Sequence, residues 1–157
     1  MTRGLILAAL FLTGGSQVTA QSLVGTWECD TRWGSLFAIR SVQQYRADGS
    51  FHTLSNMRIE DPNGRTDASV AFDGSWQLIG AQLEEKISSA HLRSVAVEGE
   101  GEGEDISDTA YGRYLAESLP KDLSGPSNQN TSQVSFVTAD RLNISNGSFA
   151  GTCKKQQ

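Results

Sequence analysis

The sequence predicts an all-β protein, an antiparallel up-and-down barrel of about eight strands with one short helix before the last hairpin. Three observations predict it. Apolar and polar residues alternate with a period of two over several short stretches, most regularly from Thr66 to Ile79. Turn residues divide those stretches, at Asp48-Gly49, Asp61-Pro62-Asn63-Gly64, Gly80-Ala81 and Ala139-Asp140. The only two cysteines, Cys29 and Cys153, stand in the first and last of the stretches, where a disulfide would staple one end of the sheet to the other.

Residues 1–20 read as a signal peptide. Arg3 supplies the basic start, Leu5 to Leu12 the apolar run, and Val18-Thr19-Ala20 a small-residue cleavage site. The run is too short to cross a bilayer, which takes about 20 apolar residues, and no later segment is apolar enough to do so. Residues 21–157 have the length of one domain. Without Arg3 the balance is 12 basic against 18 acidic residues, a formal charge of −6. Such a chain repels phosphate, so nucleic acid and anionic membrane surfaces are excluded as first readings of its partner. The expected product is an exported monomer, periplasmic or secreted. Two cysteines in such a protein pair as a rule, the alternative being two buried free thiols.

The first strand runs from Leu23 to Asp30. Ser35 to Arg46 and Ser50 to Glu60 form a hairpin around Ala47-Asp48-Gly49. A two-residue turn would set Arg46 opposite Phe51 and mix the faces. A three-residue loop with Gly49 left-handed pairs Arg46 with Ser50 and Tyr45 with Phe51, which keeps apolar residues together. One face then carries Phe37, Ile39, Ser41, Gln43, Tyr45, Phe51, Thr53, Ser55, Met57 and Ile59. It is apolar at both ends and polar in the middle. Either a wet or ligand-filled cavity lies there, or a mid-strand bulge turns Ser41, Gln43, Thr53 and Ser55 outward.

The strand from Thr66 to Ile79 puts Ala68, Val70, Phe72, Trp76 and Leu78 on one side. Gly74 joins them, where a strand bends or another backbone comes close. Leu83 to Val97 is a long strand or two short ones, and Glu84-Glu85 read as a solvated face. Residues 98–105, alternating Glu and Gly, read as a flexible acidic loop. Asp108 caps a helix from Thr109 to about Leu119, ended by Pro120. A polar loop covers 121–130. Val134 to Val137 and Leu142 to Ile144 make the last hairpin, and Phe149 to Lys154 the closing strand.

Gly25-Thr26-Trp27 resembles the Gly-x-Trp of lipocalins, whose tryptophan closes one end of an eight-stranded barrel. Tyr45 to Phe51, Gly74-Ser75-Trp76-Gln77-Leu78, and Asp140-Arg141-Leu142 followed by Cys153 are similar to segments of small bacterial lipocalin-like proteins. The resemblance implies a calycin-type barrel over residues 22–155, with a basic residue packed over the anchor tryptophan, for which Arg141 is the candidate. True lipocalins carry their helix after the eighth strand, whereas here it precedes the last hairpin. Small periplasmic inhibitors of proteases and lysozyme use barrels of the same size and also fit.

Catalysis has left no motif: His52 and His91 lie on separate strands, and there is no Gly-x-Ser-x-Gly, P-loop or dinucleotide fingerprint. The expectation is a binding protein without enzyme activity, metal or cofactor. Its ligand is small and apolar or amphipathic, lined by Trp33, Ser41, Gln43, Tyr45, Phe51, Thr53, Ser55 and Met57, with Trp33 in a loop at the mouth. The alternative is a module that binds a periplasmic protein, such as a protease or lysozyme inhibitor.

Overall fold

The computed structural model describes residues 19–34, 37–61, 64–98, 104–105, 110, 113, 117 and 129–157. Among the described residues a single helical turn, α1 (Ala20–Leu23), leads into nine strands: β1 (Gly25–Trp33), β2 (Phe37–Tyr45), β3 (Ser50–Asp61), β4 (Gly64–Ile79), β5 (Gln82–Glu98), β6 (Glu104–Asp105), β7 (Gln129–Thr138), β8 (Arg141–Ser145) and β9 (Phe149–Lys155). Eight of the pairings, all antiparallel, join neighbours in the ring. The order runs β4-β3-β2-β1-β9-β8-β7-β5, and β4 pairs with β5 to close eight strands into a barrel. The two-residue β6 lies outside that ring, on Ala96 and Val97 of β5. Eight is the strand number at which such an interior just fills with side chains or takes one small ligand.

The β2–β3 hairpin follows the predicted register. Tyr45 faces Phe51, the Arg46 N–H donates to Ser50 O at 2.9 Å, and Gly49 holds φ at 81°. Only glycine takes that left-handed angle without strain, which is why the three-residue loop ends on it. The pairing runs from Tyr45 to Phe37 without a bulge, so the polar middle of the face points inward. Ser41 is 2% exposed and Thr53 and Ser55 are each 6% exposed.

Two register shifts do interrupt β4–β5, at Ser69/Val70 and Asp73/Gly74. They let one unbroken β5 bend around the barrel. At the second shift a Cβ on Gly74 would meet the Lys86 carbonyl and the Phe51 ring. The close backbone approach expected there is present.

The base of the barrel is the core. Trp27, Leu23, Leu83, Val134, Leu142, Ile144, Tyr45, Phe51 and Trp76 pack into one cluster with the two cysteines. Trp27 is fully buried, its indole N–H donates to Leu23 O at 2.7 Å, and Phe136 meets it edge-on at 5.8 Å. The cation over its ring is Lys155, at 5.2 Å, and not Arg141, which is exposed at the start of β8. Register explains the difference: Lys155 is the cross-strand partner of Trp27, whereas Arg141 pairs with Lys154 on the outer face. Cys29 and Cys153 are also cross-strand partners, joined at 2.04 Å across the seam between first and last strand. A disulfide of this kind persists in a non-reducing environment.

Other boundaries differ from those expected. β1 continues past Asp30 to Trp33 because Phe149 and Phe37 pair with Trp33 on either side, so Trp33 ends a strand and is not in a loop. Gln129 and Asn130 belong to β7, and Glu104-Asp105 to β6, where the sequence predicts loops. Of the expected helix at 109–119, Ala110, Arg113 and Glu117 are helical and exposed. The remainder of that helix, the acidic run from 99 to 103, the Pro62-Asn63 turn and residues 1–18 lie outside the described residues. No described helix is long and apolar enough to cross a membrane.

Candidate functional site

The inward faces of β2 and β3 form five cross-strand rows from base to open end: Tyr45 with Phe51, Gln43 with Thr53, Ser41 with Ser55, Ile39 with Met57, and Phe37 with Ile59. Chemistry changes along that ladder. The first row is buried and aromatic, the next two are polar, and the last two are apolar and partly open to solvent. Trp33, in the top row opposite Phe37 and Phe149, is 53% exposed, and its ring lies 6.3 Å from that of Phe37.

The expected ligand residues therefore divide by height. Gln43 and Tyr45 border a void at the base with no space for a water molecule, closed by Leu23, Trp27 and Leu83. Phe51 lies tilted against Tyr45 at 6.2 Å, and Trp76 meets Tyr45 edge-on at 5.4 Å. Gln43, Tyr45 and Phe51 thus form a floor. Ser41, Thr53 and Ser55 make a belt of hydroxyls above it, and Met57 and Trp33 stand at the open end.

The floor contains one residue, Glu85, for which the sequence predicts a solvated position. It lies opposite Trp76 and points inward between Leu83 and Ile87. The Tyr45 hydroxyl is 2.7 Å from its Oε1, and Asn130 Nδ2 donates to Oε2 at 3.3 Å. Burial pushes the Glu85 carboxyl above the usual carboxylate range, against the opposing pull of the bonds from Tyr45 and Asn130. The Tyr45 phenol is held well above its ordinary value by burial first, then by the charge of Glu85 and the bond to it.

The network continues on both sides. Tyr45 Oη is also 2.8 Å from Gln43 Oε1, Gln43 Nε2 reaches Ser41 Oγ at 3.2 Å, and Asn146 Nδ2 donates to Asn130 Oδ1 at 3.2 Å. One phenolic proton serves one acceptor at a time. With Glu85 protonated, Glu85 donates to Tyr45 and Tyr45 to Gln43. With Glu85 ionised, Tyr45 donates to Glu85. The proton state of Glu85 thus sets which acceptor the Tyr45 hydroxyl serves.

The histidines lie elsewhere. His52 Nδ1 is 2.8 Å from Asp73 Oδ1 on the outer wall, with both side chains over two-fifths exposed. Ser89 Oγ lies 3.5 Å from the other oxygen of Asp73, on the carboxylate rather than on the imidazole, so no serine–imidazole contact is made. His91 is exposed on β5. Among the described residues no three His, Cys, Asp or Glu side chains converge as a metal site would require.

A groove of about 860 Å³ spans β9 to β5, lined by residues of both faces of the sheet, among them Arg32, Ala38, Arg40 and Asp67 from the outer face and Ile39 and Met57 from the inner. It leaves no local signal in the sequence, because no two neighbouring strands contain it. Compared with known proteins, the chain matches no protein family and no curated protein.

Proposed function

We propose that this chain is an exported, lipocalin-like binding protein without catalytic activity, whose ligand is small and amphipathic and enters the open end of the barrel. The observation that carries the reading is the polarity order of the inward face. Exposed Trp33 and Phe37 and partly buried Ile39, Met57 and Ile59 ring the opening above the buried hydroxyls of Ser41, Thr53 and Ser55. A packed core has no use for three hydroxyls at that depth, and exposed aromatics in a monomer mark a contact surface. An alkyl chain against the aromatic ring with a polar head on the hydroxyl belt uses both. The apolar run and cleavage site of residues 1–20 and the buried disulfide support export, with a bacterial periplasm as destination.

The experiment is titration with alkyl amphiphiles of graded chain length, read by tryptophan fluorescence and by native mass spectrometry of the freshly purified protein. Saturable binding that strengthens with chain length and weakens in Trp33→Ala is expected. Binding unaffected by Trp33→Ala and by Met57→Asp, or no saturable binding of any chain length, overturns the proposal.

A further inference from the structure

Among the described residues, two charged side chains occupy the inner face of the ring strands between the base and the Phe37–Ile59 row: Lys155 and Glu85. Lys155 is already engaged, with its Nζ 5.2 Å from the centre of the Trp27 ring and 3.4 Å from Ser22 O. Glu85 is not matched in the same way. Its hydrogen-bond partners, Tyr45 and Asn130, are both neutral. No lysine or arginine among the described residues stands within ion-pair distance of it.

Hydrogen bonds satisfy lone pairs but leave the charge uncompensated, and an inward carboxylate in that condition costs stability. A floor that served packing alone would be better built with glutamine at position 85. Nor is the carboxylate sealed. Glu85 keeps partial solvent access, whereas Leu83, its neighbour on the same face, has none. Two carboxylate oxygens accept about four hydrogen bonds in all, and Tyr45 and Asn130 leave some of that capacity free. The hydroxyl belt is close to it. Contacts of 2.7, 2.8 and 3.2 Å lead from Glu85 through Tyr45 and Gln43 to Ser41 Oγ. The buried polar residues there, Ser41, Thr53, Ser55 and Ser132, are all uncharged.

We infer that the polar head of the ligand is a cation, a primary ammonium, held on the hydroxyl belt with Glu85 as its counter-ion. The inference rests on the reading that the open end takes an amphiphile, and it names the head group. An ammonium carries three N–H donors, which the belt hydroxyls and the free lone pairs of Glu85 can accept. A carboxylate or phosphate head would meet like charge in the same place. The void beneath, bordered by Tyr45 and Leu83, has no space for a water molecule, so the head stops at that level.

The test is isothermal titration calorimetry of the mature protein at about pH 8 with decylammonium, decanol and decanoate, which share a chain and differ in head charge. Attraction and repulsion of about threefold each, the strength of one exposed pair, should make decylammonium bind about tenfold tighter than decanoate, with decanol between them. Glu85→Gln should bring the three Kd values to within about twofold of one another. Glu28→Gln removes an exposed carboxylate from the outer face of β1 and should leave the order unchanged, which separates Glu85 from the net charge of the chain. Three equal Kd values in the wild type, or a preference that survives Glu85→Gln or disappears in Glu28→Gln, would each overturn the inference while the amphiphile reading stands. Failure of all three probes to bind would remove that reading, and this inference with it.

Discussion

The Glu85–Tyr45 contact makes a prediction whose sign and size both follow from geometry. Burial raises the folded carboxyl above its unfolded value, so between those two values the folded state binds more protons than the unfolded one. Stability contributed by Glu85 is therefore full below the unfolded glutamate pKa, about 4.3, and is lost as pH rises through the folded value. Glu85→Gln removes the titrating group but keeps an oxygen for the Tyr45 hydroxyl, so this falling limb should vanish. Tyr45→Phe removes the 2.7 Å bond to the carboxylate. A hydrogen bond to a charged group contributes about 1.5–3 kcal/mol and a neutral one about 1 kcal/mol. The Tyr45→Phe penalty should then be about 2 kcal/mol where Glu85 is ionised and about half that where it is protonated, so it grows as pH rises through the folded value. Urea unfolding at half-unit steps from pH 4 to 8 on the three proteins measures both effects. Parallel stability profiles for wild type and Glu85→Gln would refute the buried-carboxylate account.

The remaining predictions concern the scaffold. Gly74→Ala forces a methyl group against the Lys86 carbonyl and to within 2.6 Å of the Phe51 ring, and should cost about 2–3 kcal/mol in urea unfolding. Lys155→Met keeps the aliphatic packing but removes the cation over Trp27 and the bond to Ser22 O, so Tm should fall by about 4 °C for a loss near 1 kcal/mol in differential scanning calorimetry. Reduction of Cys29–Cys153 releases a loop with a sequence separation of 124, and the chain-entropy relation gives a loss of about 5 kcal/mol, read as a lower urea midpoint in dithiothreitol.

Much of the barrel is legible because its signals are local. A strand's period of two fixes which side chains share a face, and a single left-handed glycine decides the β2–β3 register. Trp27 and Trp76 sit in the core for the same reason. Glu85 escapes notice because Glu84-Glu85-Lys86 looks like a solvated run. The correcting signal is present in the parity, since Leu83 and Ile87 flank position 85 on one face. What makes burial tolerable, a tyrosine forty residues earlier, has no local trace. Trp33 and Lys155 are hidden in the same way, because each owes its position to strands that meet only when the ring closes. The groove is the extreme case, with its residues drawn from six strands.

The seam between β1 and β9 also bears on how the barrel is made. The β2–β3, β3–β4 and β4–β5 pairings are hairpins that neighbouring residues can form early, whereas Cys29 must wait for a strand more than a hundred residues downstream. With only two cysteines there is one connectivity and nothing to shuffle. Refolding from the reduced chain therefore requires an oxidant but no isomerase, and the appearance of the bond times the arrival of the last strand.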